Sequence, residues 1–242
     1  MGAILHGWSN FEKILLSVNV GFSVLLLIIG GDYSLIPLLS VVAGVCNTMS
    51  VILIAKKKIS NYSWAIVGAI TYGFVAFAYT NTGEWMLNWL YYLPMNFVGL
   101  VMWKKNSDDG ESVYSKSMTR SQAIKMYTLT VALVLIYAVV IYQPVVQTFL
   151  YGEITQYGFG KFVTDSTSTV LSLFAMWLMV NRFSEQWILW IIVDIVSIVL
   201  WLITFDAVMI LMWTTMLVNA VYGYLRWATD LFDKEEDYVC TM

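Results

Sequence analysis

The sequence predicts an all-α integral membrane protein with eight transmembrane helices. They form two parallel three-helix repeats joined by a linker helix (3+1+3), plus an extra N-terminal helix. One observation behind this is composition, since 60% of the residues belong to the set AVILMFWYC and 12% are charged. A soluble domain has roughly 45–50% apolar and about 25% charged residues. The others are a one-sided distribution of basic residues and an internal repeat.

Eight predominantly apolar stretches predict the spans, because about 17–25 apolar residues are needed to cross a hydrocarbon core. They lie at 14–29, 35–55, 64–80, 85–103, 124–150, 166–180, 187–205 and 207–227. Most intervening loops are short and rich in Gly, Asn and Ser, as in "NTGE" at 81–84, which favours antiparallel neighbours, and only 104–123 and 151–165 are longer connections. The first span could be the core of a signal peptide, but no small-residue cleavage site follows it, so we expect it to be retained.

The basic residues set the predicted orientation, because Lys and Arg near span ends collect on the cytoplasmic side. With eight spans and a cytoplasmic N-terminus, every one of the 13 Lys and Arg except Lys161 faces the cytoplasm. One span more or fewer would scatter these charges over both faces. The sequence therefore predicts a multi-pass protein with both termini in the cytoplasm.

Two pairs of similar stretches predict the repeat. "NYSWAIVGAIT" aligns with "SEQWILWIIVD", which places Trp64 on Trp187 at an offset of 123 residues (187 − 64). "GLVMW" aligns with "GYLRW", which places Trp103 on Trp227 at an offset of 124 (227 − 103). A single span between the copies makes them parallel, so a central site is expected between them at mid-depth.

These observations divide the chain into five regions. They are an extra N-terminal helix at 1–34, a first repeat at 35–103, a linker with a connecting helix at 104–165, a second repeat at 166–228 and an acidic cytoplasmic tail at 229–242.

Several of these features resemble the PnuC family of vitamin B3 transporters. The resemblance rests on the 3+1+3 arrangement, "KKKISNY", the Trp-x-x-Trp of Trp187 and Trp190, and the "YGYLRW" ending, and it covers roughly residues 35–228. It implies a fold like that of the sugar-transporting SWEET proteins. It also implies passage of nicotinamide riboside by facilitated diffusion, with cytoplasmic phosphorylation trapping the product. The expected setting is a homotrimer in the lipid bilayer of the bacterial inner membrane.

Three residues of the predicted seventh span are candidates for a site. Nicotinamide riboside carries a flat cationic ring, and a tryptophan face attracts such a cation. Trp187, Trp190 and Asp194 share one helix face, and Asp194 is the only acidic or basic residue predicted well inside a span. Carboxylates within spans usually face a polar interior. The alternatives are an aromatic belt at headgroup level for Trp187 and a protonated or hydrogen-bonded packing role for Asp194.

Amides and a tyrosine form a second set of candidates, because the ligand also carries a carboxamide and ribose hydroxyls. Asn88, Tyr92 and Asn96 recur at intervals of four in the fourth span, and Asn47 and Asn219 lie at comparable depth in the second and eighth. Each alone could form an interhelical hydrogen bond. Asn96 aligns with Asn219 at an offset of 123, but at an offset of 124 the two are misaligned by one residue, so their pairing stays open.

The sequence gives little support to other function classes. The single histidine, His6, precedes the first span, and neither a phosphate-binding Gly-rich loop nor a zinc-binding His pair is present. We therefore expect no enzyme activity, catalytic residue, metal site, cofactor or nucleic-acid partner. A proton-coupled transporter that uses Asp194 and a SWEET-like sugar carrier are the remaining alternatives.

Overall fold

The protein is α-helical throughout the part of the chain that the computed structural model describes, residues 7–137 and 159–240. These ranges contain two isolated β-bridges but no strand, so the predicted all-α class is confirmed. The helices are α1 (Asn10–Gly30), α2 (Leu35–Ala55), α3 (Asn61–Ala78), α4 (Thr82–Met86), α5 (Leu93–Lys105), α6 (Arg120–Ile136), α7 (Phe159–Val180), α8 (Gln186–Thr204) and α9 (Ala207–Cys240). A π-helical turn, Leu87–Tyr92, connects α4 to α5 without a break.

Within the described ranges, four helical segments are long and apolar enough to cross a membrane. They are Asn10–Gly30, Leu35–Ala55, Gln186–Ile203 and Ala207–Thr229. The predicted fifth span, 124–150, coincides with α6 only as far as Ile136, and much of the rest lies outside the described residues. Three boundaries differ clearly from prediction. The "NTGE" stretch expected to be a loop begins α4 at Thr82, α7 begins at Phe159 and not at 166, and α9 extends through much of the expected tail.

Helix ends are fixed by local side-chain chemistry. Ser9 and Glu12 form a reciprocal capping box at the start of α1, and Thr119 and Gln122 do the same for α6. Asp206 caps α9 by accepting backbone hydrogen bonds within its first turn. These caps satisfy amide groups that would otherwise be left unpaired at a helix start.

Six helical units surround a common centre. In order around the ring, the neighbours are α2, α3, α4 with its continuation α5, α7, α8 and α9, which closes on α2. Consequently α3 and α8 lie on opposite sides of the centre. Outside the ring, α1 packs against α2 and α9, and α6 packs against α7.

The turns after α2 and after α7 have the same geometry. Lys57 and Arg182 both adopt a left-handed conformation, with φ of 59° and 67°. Each turn also forms a β-type hydrogen bond with the linker after α5, Ile59 with Glu111 and Ser184 with Lys116, both 2.8 Å long. The offset between the equivalent turn residues is 125 (182 − 57).

The two Gly-x-x-x-Trp sequences also make equivalent contacts. Trp103 donates its indole N–H to the carbonyl of Val180 at the end of α7, and Trp227 donates to the carbonyl of Ala55 at the end of α2, each at 3.2 Å. Trp103 packs edge-on against Tyr62, and Trp227 packs edge-on against Trp187. Trp103 therefore ties α5 to the end of α7, and Trp227 ties α9 to the end of α2.

These contacts correct the sequence alignment of α3 with α8. Trp187 occupies the place of Tyr62 at an offset of 125 (187 − 62), so the predicted pairing of Trp64 with Trp187 at 123 is wrong. The offset of 124 for "GLVMW" and "GYLRW" agrees with the contacts. The change from 125 to 124 coincides with the π-helical turn Leu87–Tyr92, which accommodates one extra residue in the first copy. Asn96 therefore corresponds to Ala220 and not to Asn219.

Helix α1 turns its polar residues inward. Glu12, Asn19 and Ser23 are fully buried against the ring, while Ile14 and Ile29 are more than half exposed. The Glu12 carboxylate accepts from Lys56 at 2.9 Å and from Arg226 at 2.8 Å. This polarity fits a helix with lipid on one side and protein on the other.

Replacing Gly99 or Gly223 by alanine should lower stability by about 1–3 kcal/mol, the usual cost of overpacking a core. A Cβ on Gly99 would lie 2.5 Å from the Tyr62 ring, and one on Gly223 would lie 2.6 Å from the Trp187 ring. Gly21→Ala is the matched control, because no atom lies within 4 Å of its added Cβ. Thermal unfolding in detergent measures all three. Equal melting temperatures for Gly21→Ala and Gly223→Ala would contradict this packing.

Candidate functional site

A cavity lies at the centre of the six-membered ring. The space between its walls, together with the solvent at its opening, amounts to about 790 Å³. Its described wall contains aromatic, amide, methionine and alanine side chains and one carboxylate, with no Lys or Arg. Such a wall suits a flat ligand with several hydrogen-bonding groups.

The candidate residues Asn88, Tyr92 and Asn96 all line this cavity. Asn88 is buried and donates to the backbone carbonyl of Glu84 at 2.8 Å. Asn88 and Tyr92 lie within the π-helical turn, and Asn96 follows in α5. The predicted polar stripe therefore faces the centre of the ring, although its spacing passes through a π turn instead of a regular α-helix.

Helix α8 brings Trp190 and Asp194 to the same cavity. Trp190 is half-buried, with its ring 6.2 Å from that of Tyr92. Asp194 is 3% exposed, and the described residues provide neither a hydrogen bond nor an ion pair for its carboxylate. The opposite face of α8 is exposed at Ile192 and Ile195. The helix thus presents its polar stripe inward and its aliphatic stripe outward.

Trp187 also borders the cavity, but much of its surface is used in packing. The ring is 2% exposed and packs against Gly223 and Trp227. Its indole N–H is buried without a hydrogen-bond partner among the described residues. A ring buried in this way does not face lipid, which argues against the alternative of an aromatic belt residue.

Asn47 and Asn219 complete the predicted set, and both line the cavity. The Asn219 amide donates to the carbonyl of Val51 at 2.9 Å, while its Oδ1 is buried and has no partner in the described ranges. Asn47 lies within reach of the Met212 sulfur, at 3.9 Å. The structure therefore brings all eight sequence-predicted residues to one cavity, while their role in binding stays a prediction.

Sequence reasoning missed a polar network beside this cavity. The Tyr72 hydroxyl donates to Glu84 at 3.0 Å and accepts from Trp201 at 2.7 Å and from Trp213 at 3.2 Å. Ser168 donates to the other Glu84 oxygen at 3.0 Å. Tyr72 and Trp213 also line the cavity. The loop-like "NTGE" sequence concealed Glu84, although it is 2% exposed within the helical core.

Comparison with known proteins identifies the family. Residues 37–229 match the sequence model of a family described as "Nicotinamide mononucleotide transporter". The chain belongs to this family. It is a family of membrane transporters and not of enzymes, which confirms the predicted class and agrees with the apolar helices of a multi-pass membrane protein.

Curated relatives in this family carry the name "Nicotinamide riboside transporter PnuC". The protein from Neisseria mucosa is 33% identical over 232 residues, covering 93% of this chain and 83% of the relative. The protein from Haemophilus influenzae is 32% identical and covers 92% of both chains. A solved structure described as "Crystal structure of the Vitamin B3 transporter PnuC" matches with a TM-score of 0.74, at 30% identity over 92% of both chains. The predicted resemblance to PnuC is confirmed.

The family's transport activity agrees with what the cavity can do chemically. Its wall can stack a ring, pair with a positive charge and hydrogen-bond to hydroxyl or amide groups. Among the described residues, no group of three or more His, Cys, Asp and Glu side chains could hold a metal ion.

Proposed function

We propose that this protein carries nicotinamide riboside across the bacterial inner membrane by facilitated diffusion and that cytoplasmic phosphorylation traps the product. The observation that carries the proposal is the central cavity, where Trp190 and Asp194 lie across from small residues and beside amides. A tryptophan face and a carboxylate both attract a pyridinium cation. The amides offer donors and acceptors to the carboxamide and the ribose.

The cavity also favours the riboside over its phosphorylated form. No Lys or Arg appears among its described lining residues, so a phosphate dianion would enter without a compensating charge. Transferring an unpaired charge from water into a protein interior is costly. We therefore propose discrimination against the mononucleotide, even though the family description names that compound.

We further propose the eight-span 3+1+3 arrangement, with regions 1–34, 35–103, 104–165, 166–228 and 229–242, a SWEET-like fold and both termini in the cytoplasm. The matched turns and tryptophan contacts support parallel repeats. In a cysteine-free background, Tyr33→Cys and Asp108→Cys test the orientation with a membrane-impermeant thiol reagent. Labelling of residue 33 alone in intact cells supports the model, and labelling of both residues contradicts it.

The homotrimer in a lipid bilayer rests on the family resemblance, and light scattering of the purified protein tests its stoichiometry.

Flux into proteoliposomes tests the transport mechanism. Facilitated diffusion predicts saturable flux of nicotinamide riboside in both directions without an ion gradient. With the membrane potential held at zero, a pH gradient should not drive accumulation, because an uncoupled carrier of a cation then equalises the two concentrations. Accumulation that requires the proton gradient would support the alternative of a proton-coupled transporter that uses Asp194.

Replacing Asp194 by asparagine should weaken binding of the cationic riboside without weakening binding of neutral nicotinamide. The substitution keeps the shape and hydrogen-bonding capacity of the side chain but removes its charge. A charge interaction at about 4 Å is worth about 1–4 kcal/mol at effective dielectric constants between those of water and a protein surface. Calorimetric titration with both ligands measures the difference. Unchanged affinity for both would assign Asp194 to packing or to a protonated resting state.

A further inference from the structure

The central cavity is asymmetric although the helices around it come in equivalent pairs. The equivalence is fixed by the left-handed turn residues Lys57 and Arg182 and, beyond the second helices, by Thr80 and Phe205, which are also left-handed. Both pairs give an offset of 125 (182 − 57 and 205 − 80). The same offset therefore applies along the whole of α3 and α8, which lie between these turns.

At this offset, the cavity residues of α3 and α8 form two unlike pairs. Ala65 corresponds to Trp190, and Ala69 corresponds to Asp194. The pair formed by α2 and α7 differs from this. Val51 of α2 corresponds to Met176 of α7, so both positions carry an apolar side chain. The repeat is thus broken on the helices that face each other across the cavity.

The pair formed by α5, with its π-helical turn, and α9 adds to this asymmetry. After the π-helical turn the offset is 124, so Tyr92 corresponds to Met216 and Asn96 corresponds to Ala220, and all four line the cavity. At these paired positions the polar or aromatic member stands on α5, the π-helical turn or α8, while Asn47, Tyr72 and Asn219 add polar groups from α2, α3 and α9. Small or apolar groups stand at the matching places on α3 and α9.

We infer that Ala65 and Ala69 are specificity-determining residues, whose short side chains leave the space in which the ring of the ligand lies opposite Trp190. This inference rests on the proposed function. Both alanines are buried and line the cavity on the side opposite α8. Trp190 on α8 already carries an indole at the position equivalent to Ala65. A second indole at position 65 would face it across the cavity and fill the space between the two walls.

Four variants test the inference by titration with nicotinamide riboside. Ala65→Trp should weaken binding at least about tenfold, and Ala69→Val by about threefold or more, since crowding a pocket by even a methylene costs binding. The exchange variant Ala65→Trp/Trp190→Ala moves the indole to the equivalent wall and should bind more tightly than Ala65→Trp alone. Val67→Trp is the control, because Val67 is 43% exposed on the same helix and does not line the cavity.

The outcomes separate this inference from the proposed function. Failure of the wild-type protein to bind the riboside overturns both. If the wild type binds, unchanged affinity in Ala65→Trp or Ala69→Val overturns the inference alone. An exchange variant no better than Ala65→Trp also overturns it, since clashing side chains should show non-additive effects. Melting temperatures identify a misfolded variant. If Ala65→Trp is misfolded, the affinity of the milder variant Ala69→Val for the riboside tests the inference.

Discussion

Trp190→Ala is expected to weaken nicotinamide riboside binding by about 1–3 kcal/mol while leaving the fold intact. This is the scale of a lost aromatic stack with a base-like ring, to which a cation adds. Trp190 is half-buried at the cavity wall and takes no part in the tryptophan–glycine contacts that join the helices. Calorimetric titration gives the affinity, and thermal unfolding verifies the fold.

Two other tryptophans make the Trp190 result interpretable. Trp177 is 46% exposed and does not line the cavity, so Trp177→Ala should bind as the wild type does. Trp187 packs against Gly223 and Trp227, so Trp187→Ala should lower the melting temperature. Equal affinities for Trp190→Ala and Trp177→Ala would remove Trp190 from the binding site.

Glu84→Ala is expected to cause a large loss of stability, about 2–4 kcal/mol. The substitution removes the acceptor of the buried Tyr72 hydroxyl and one partner of the Ser168 hydroxyl, and a buried hydrogen-bonding group left without its partner costs about 1–3 kcal/mol. Through Tyr72, the same network reaches Trp201 and Trp213. It therefore connects α4 with α3, α7, α8 and α9.

Glu111→Ala is the matched control for this prediction. The Glu111 side chain is 76% exposed and contacts Lys58 at 3.2 Å, and exposed ion pairs contribute about 1 kcal/mol or less. Glu84→Gln keeps one acceptor oxygen and should melt between Glu84→Ala and the wild type. A Glu84→Ala protein as stable as Glu111→Ala would show that the network does not stabilise the fold.

The class of fold and the cavity residues were predictable from the sequence for one physical reason. In an apolar environment each polar side chain within a span must face protein or water, so the residue types at Asn88, Asn96 and Asp194 were enough to assign these positions to the interior. Periodicity then placed Asn88 and Asn96 on one face of the fourth span, and Asp194 on the same face of the seventh span as Trp190. The same reasoning correctly grouped residues from distant parts of the chain.

The register of the repeat and the Glu84 network were not predictable in this way. Matching Trp64 with Trp187 followed residue identity, whereas the packing role of Trp187 is taken by Tyr62 in the other copy. The extra residue of the π-helical turn leaves no pattern in a sequence that is apolar on both sides. Glu84 follows a Gly in a loop-like stretch, and only the tertiary contacts with Tyr72 and Ser168 reveal its place in the core.

A binding titration of the purified protein tests the central claim most directly. Nicotinamide riboside, nicotinamide mononucleotide and a monosaccharide are titrated separately into the same preparation. The cavity predicts saturable binding of the riboside, much weaker binding of the mononucleotide because its phosphate meets no basic side chain, and no measurable binding of the sugar. Binding of the mononucleotide or the monosaccharide as tight as that of the riboside would contradict the account.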